Sequence, residues 1–163
     1  MTVSQVTVKQ VPAIRVVGLR EQIESFQEQG RLWKTLTDFV ATQDSPHAGA
    51  GFAIHYNLGA VVGQSGKIDV QVCIPVNDAF SLPAVHVIEG LGLHDLPPLA
   101  RAASVTLTGA CTGLPSAYTT LFAWLSEHDE TPNGPTREIY HTYDTDPMSD
   151  DYRCEVLAPL PFA

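Results

Sequence analysis

The chain repeats itself in register, and that repeat constrains its fold more than any other feature. A shift of 84 positions puts Tyr56 on Tyr140, Val72 on Val156 and Pro75 on Pro159, and lays "VQVCIPV" over "CEVLAPL". A shared register says more than a shared order of elements, because both halves then face the same packing problem. Under this shift Gln71 falls on Glu155, so one copy of the position is neutral where its twin carries a charge.

Each half reads strand, helix, strand, strand. Residues 3–22 alternate like one or two strands around Pro12. The segment "ESFQEQGRLWKTLTDFVATQ" then changes period, with Phe26, Leu32, Trp33, Leu36, Phe39 and Val40 on one helical stripe. "GFAIHYN" and "KIDVQVCIPV" are strand-like and separated by the turn-rich "LGAVVGQSG". A middle section, 77–98, holds one more short strand in "AVHVIEGLGLHDLPP". "LARAASVTLTGAC" alternates again, and "PSAYTTLFAWLSEH" carries a stripe of Tyr118, Leu121, Phe122 and Leu125. "TREIYHTY" and "YRCEVLAPL" then close the chain as strands. Two half-domains, about 3–76 and 100–160, that each leave an apolar helix face uncovered are expected to pack about a pseudo-twofold. The expected fold class is α+β: one domain over 1–163, an antiparallel sheet and two main helices around a central cleft.

Composition narrows the function. Hydrophobic residues make up 44% of the chain and charged ones 17%, which suits a packed globule. Eighteen acidic residues against nine basic ones give a formal charge of −9, so direct nucleic-acid binding is not expected, whereas a cationic ligand or partner is permitted. No apolar run is long enough for a bilayer span and the N-terminus lacks a signal-peptide pattern, so a cytoplasmic protein with no membrane contact is expected. Cys73, Cys111 and Cys154 form no CxxC pair and read as free thiols. The histidines at 47, 55, 86, 94, 128 and 141 show no HxxxH or HExxH spacing, so no metal is expected. "GLGLHDLPP" is not a phosphate-binding fingerprint and no GxSxG elbow occurs, so no cofactor is expected. The acidic run "YDTDPMSDDY" reads as a solvated loop.

In a strand, Glu155 faces away from Cys154 and Val156. Periodicity alone leaves two readings open: an ordinary exposed glutamate, or a carboxylate set in an apolar cleft, where it either takes up a proton or welcomes a cation. Tyr140 and its repeat partner Tyr56 offer aromatic faces to a delocalised cation. Trp33 and Trp124 lie on the two helices, where core packing competes with a lining role.

The segments "ASVTLTGACTGLPSAYTTLFAWLSEH", "NGPTREIYHTYDTDP" and "YRCEVLAPL" resemble the C-terminal half of the GyrI-like domain, the small-molecule-binding module found alone or fused to AraC-type and BmrR-type regulators. "VPAIRVVGLREQI" and "VQVCIPV" extend the likeness to the first half. The resemblance implies a duplicated fold that holds hydrophobic, often cationic, compounds, with Glu155 at the family's carboxylate position in the last strand and Tyr140 at its tyrosine. One departure is Gly109-Ala110-Cys111, where many relatives have Gly-Pro-aromatic, which places Cys111 at a lining position.

Three functions are therefore in view. The first is binding or sequestration of a hydrophobic, cationic small molecule, with Glu155 as counter-charge and Tyr140, Tyr56, Trp33, Trp124 and Cys111 as walls. No helix-turn-helix pattern flanks these elements, so a regulatory role is expected to run through a partner chain. The second, implied by hydrolases within the family, is attack on strained cyclopropanoid-type electrophiles, with Glu155 as general base and Tyr140 as proton donor. The third is a protein interaction such as inhibition of DNA gyrase.

Overall fold

A computed structural model describes residues 1–43, 47–58, 66–85, 88–142 and 145–162. His86, Tyr143 and most of "LGAVVGQSG" lie outside the described residues. The fold is α+β, as expected, and the chain divides into two compact units: 13–97, and 98–163 together with 1–12.

In the 13–97 unit the strands are β3 (Ile14–Ile23), β4 (Phe52–His55), β5 (Ile68–Pro75) and β6 (Leu91–Leu96). All pairings are antiparallel, in the order β4-β5-β3-β6. Helix α1 (Gln29–Ala41) follows a 3-10 turn at Phe26–Glu28, which shortens the expected helix at its start. Glu28 Oε2 accepts the Glu24 N–H at 2.7 Å there, supplying one partner where the chain enters the helix. Leu32, Leu36 and Val40 form the buried stripe, whereas Phe26 is exposed. That stripe packs on β5 and β3. Gly90 turns the chain into β6 with φ 82°, and a Cβ there would stand 2.3 Å from the Arg20 carbonyl oxygen, so only glycine fits.

The other unit is built from β7 (Leu99–Thr108), β8 (Thr136–Tyr140), β9 (Arg153–Pro159) and α2 (Leu114–Glu127), with two strands from the opposite end of the chain, β1 (Thr2–Val3) and β2 (Thr7–Val11). Its order is β8-β9-β7, with β1 and β2 both on the far edge of β7. The N-terminal strands thus complete the C-terminal unit just as β6 completes the other. Helix α2 opens with Pro115 in its first turn, where a missing N–H costs nothing. It ends at Asp129, left-handed at φ 51°, with the Glu130 N–H on the Leu125 carbonyl at 2.9 Å. Ala117, Leu121 and Leu125 are the buried stripe, so Phe122, expected inside, is exposed. They pack with Val105, Cys154 and Val156 in one core.

The two units match strand for strand, but not with one uniform shift. Gln71 pairs with Arg20 as Glu155 pairs with Thr106, which keeps Gln71 on Glu155. Tyr140 stands opposite Cys154, whereas the residue opposite Val70 is His55. The connection of the β8–β9 hairpin is one residue shorter, and so Tyr140 matches His55 and His141 matches Tyr56. The sequence alignment of Tyr56 with Tyr140 is out by one at this strand, because an ungapped shift cannot register a change of loop length.

Leu121 has no exposed surface and sits at the centre of its helix stripe. Leu121→Ala is expected to cost about 2–5 kcal/mol, measured by urea unfolding monitored by circular dichroism.

Candidate functional site

Strand alternation puts Thr136, Glu138 and Tyr140 on the face of β8 that α2 covers, since Glu138 and Tyr140 stand opposite Val156 and Cys154 of the core. Tyr118, one residue beyond the buried Ala117, comes down from α2 onto the same spot. Glu138 is 8% exposed. Its Oε1 accepts the Tyr118 hydroxyl at 2.5 Å and its Oε2 the Tyr140 hydroxyl at 2.8 Å. Burial, and next the Glu138 charge, push both phenols well above their usual range, so they stay protonated and donate. Trp124 and Cys111 pack against the same core. The Phe122 ring, centred 6.0 Å from that of Tyr118, continues the aromatic surface outward from the carboxylate to solvent. A buried carboxylate between phenol rings combines charge with aromatic faces, the two features that select a lipophilic cation.

Glu155 lies on the opposite face of the sheet. It is 6% exposed, so the exposed reading fails, and it is held from three sides. Ser104 Oγ donates to Oε1 at 2.8 Å, Lys9 forms an ion pair with the same oxygen, and His141 Nε2 lies 2.9 Å from Oε2. Burial pushes its carboxyl up, but the hydrogen bonds from His141, Lys9 and Ser104 outweigh it and hold the carboxyl down to about 2. Its charge is already met by a lysine of the N-terminal strand. Tyr140 and Glu155 do not converge, because they occupy neighbouring parities of one hairpin.

Tyr56 and Trp33 fall in the 13–97 unit, the second on its helix. Tyr56 donates to Gln71 Oε1 at 2.7 Å, repeating the contact of His141 with Glu155, and the Arg20 guanidinium stacks 3.6 Å over its ring. Trp33 approaches Gly51, where a Cβ would come within 3.0 Å of the indole. The matches of Glu138 and Tyr140 there are Ala53 and His55, so the carboxylate at this strand position occurs in one of the two units. Trp124 stacks on His128 at 4.1 Å. Cys111 donates its backbone N–H to the Pro147 carbonyl at 2.7 Å. Sequence reasoning missed Glu138 and Tyr118 as a pair. The available signal was the shared parity of Glu138 and Tyr140 in "TREIY", but nothing in the sequence shows that α2 brings Tyr118 to it.

The described residues hold no cluster of His, Cys, Asp and Glu able to bind a metal, and no helix among them is long and apolar enough to cross a membrane. Because the Glu155 carboxyl is held below its unfolded value of 4.5, it contributes stability above that pH and loses it as pH falls towards 2. Glu155→Gln is therefore expected to flatten the acid limb of the stability curve between about pH 4.5 and 2, read from urea midpoints across that range.

Comparison with known proteins agrees with this architecture. No curated protein sequence matches the chain. Among solved structures, the EcmrR C-terminal domain superposes with a TM-score of 0.82 at 18% identity, covering 98% of each chain. In the EcmrR–DNA complex the same match spans only 58% of the EcmrR chain. SAV2435 bound to tetraphenylphosphonium gives 0.63 at 16% identity, covering 97% of this chain and 94% of that one. A hydrolase from Listeria innocua gives 0.64 at 8% identity, over 96% and 92%. At these identities the likeness establishes fold alone. The family model described as GyrI-like small molecule binding domain matches residues 4–161, and the chain belongs to that family.

Proposed function

We propose that the chain captures a hydrophobic, cationic small molecule, with Glu138 as counter-charge and the rings of Tyr118 and Tyr140 as walls. The observation that carries this reading is the buried Glu138 carboxylate held between two protonated phenols, beside the exposed Phe122. In a water-poor site a carboxylate gains far more from a bound cation than it does at the surface, and each ring face adds about 0.5–2 kcal/mol. Support from outside the chain is that SAV2435, of like fold, was solved with tetraphenylphosphonium. Glu155 is the weaker choice, because an incoming cation would have to displace Lys9. For the hydrolytic reading the same geometry moves the acid–base pair from Glu155 and Tyr140 to Glu138 with its two phenols, which are within proton-transfer distance.

The test is thermal unfolding with tetraphenylphosphonium and with neutral triphenylphosphine oxide. Saturation to 100 times the dissociation constant stabilises the native state by about 2.7 kcal/mol, a shift of several degrees. The cation is expected to stabilise wild type and Glu155→Gln alike, and Glu138→Gln is expected to bind it roughly thirtyfold more weakly or worse. Loss of binding in Glu155→Gln with retention in Glu138→Gln would transfer the role to Glu155. No response of wild type to either compound would overturn cation capture, and recovery of a cyclopropanoid probe with one water added would favour the hydrolase.

A further inference from the structure

The face of the 13–97 sheet turned away from α1 carries a hollow of about 510 Å³ lined by Arg20, Tyr56, Gln71, Gly92, His94 and Leu96, among others. It stands where the Glu155 cluster stands in the other unit. Position by position, Glu155 becomes Gln71, His141 becomes Tyr56, Ser104 becomes Gly18, and Lys9, opposite Ala102, becomes His94, opposite Val16. The substitutions remove the carboxylate, the lysine and the serine together. The groups that fill and neutralise one cluster are absent from the other, and a hollow is left.

What faces that hollow is donors. Gln71 is 4% exposed, and its Oε1 is taken by the Tyr56 hydroxyl. Its Nε2 donates to no side chain or backbone group among the described residues and is not fully enclosed, so it opens onto the hollow. Arg20 gives Nε and Nη2 to Asp69, at 2.9 and 2.8 Å, and leaves Nη1 without a side-chain partner. The His94 ring makes no hydrogen bond to another described residue. Glycines keep the floor low: a Cβ on Gly18 would stand 2.5 Å from Gln71 Nε2, and one on Gly92 2.8 Å from His94 Nε2. Either methyl would push its neighbour into the hollow. Leu96 supplies an apolar wall, and the Tyr56 ring, held by the Arg20 stack, supplies a flat one.

We infer that this hollow is a second ligand site, for a small aromatic carboxylate whose oxygens accept from Gln71 Nε2 and Arg20 Nη1 while its ring lies between Tyr56 and Leu96. A carboxylate fits because it brings acceptors and no donors, matching what the wall leaves unmet. The preference is opposite in sign to that of the Glu138 site and is independent of it. The neutral Gln71 makes the difference, since a glutamate at this position would repel the ligand that the amide attracts.

The experiment is titration of the ¹⁵N-labelled protein with 2-naphthoate, following the Gln71 side-chain NH₂ and the His94 ring, with calorimetry on variants. The expected result is a saturable shift of the Gln71 NH₂ signals. Gln71→Leu is expected to weaken binding at least tenfold, Gln71→Glu to abolish it, and Gly92→Ala, which alters only the floor, to weaken it severalfold. Each variant is first checked for a wild-type melting profile; Gly92→Ala, away from the core strand β5, serves if the Gln71 variants fail to fold. Unmoved Gln71 signals at millimolar naphthoate, shifts confined to the surroundings of Glu138, or full affinity in a folded variant of Gln71 or Gly92 would overturn the site.

Discussion

A strand buried along both faces cannot keep a charge unless other strands bring it partners, and β9 is buried from Cys154 to Pro159. Much of the C-terminal unit follows from that constraint. Cys154, Val156 and Ala158 meet α2, which commits Glu155 to the other face, where β7 supplies Ser104 and the end of β8 supplies His141. The compensating cation comes from Lys9, more than a hundred residues away in sequence, on a strand that reaches its place by pairing with β7. The N-terminal segment is thereby tied to the C-terminal unit by a backbone ladder and by an ion pair. Removing Lys9 would leave the Glu155 charge in a place water scarcely reaches.

The repeat shows how one scaffold supports two chemistries. Both units use the same strand order and the same helix stripe, so the apolar side of the problem is solved once and copied. The polar positions diverge as sets rather than singly. Where Glu155 is present, serine, histidine and lysine surround it; where the position is Gln71, glycine, tyrosine and histidine stand in their places. This covariation is what electrostatics requires, because a lysine facing a glutamine or a glutamate facing a glycine would each lose its partner.

On the helix-covered side the asymmetry is of the same kind. Glu138 exists in one unit, flanked by Tyr118 and Tyr140, and its counterpart is Ala53. Two buried carboxylates of this unit, Glu138 and Glu155, lie on opposite faces of one hairpin and meet different donors: phenols at the first, an ammonium, a hydroxyl and an imidazole at the second. Of the two, Glu155 already holds a cation of the chain, Lys9.

The sequence by itself determined the fold class, the two helices, most of the strands and the duplication, because each rests on local periodicity or on apolar residues recurring at a fixed interval. It also showed that Glu155 faces away from Cys154 and Val156, since a strand alternates by geometry alone. Three things it left to the tertiary structure. The assignment of β1 and β2 to the far unit depends on pairing at long range, to which no window is sensitive. The match of Tyr140 to His55 instead of Tyr56 depends on a hairpin connection one residue shorter. The meeting of Tyr118 with Glu138 depends on how α2 seats on its sheet. Periodicity assigns a residue to a face; which charges and donors gather there is decided by packing between elements distant in the chain.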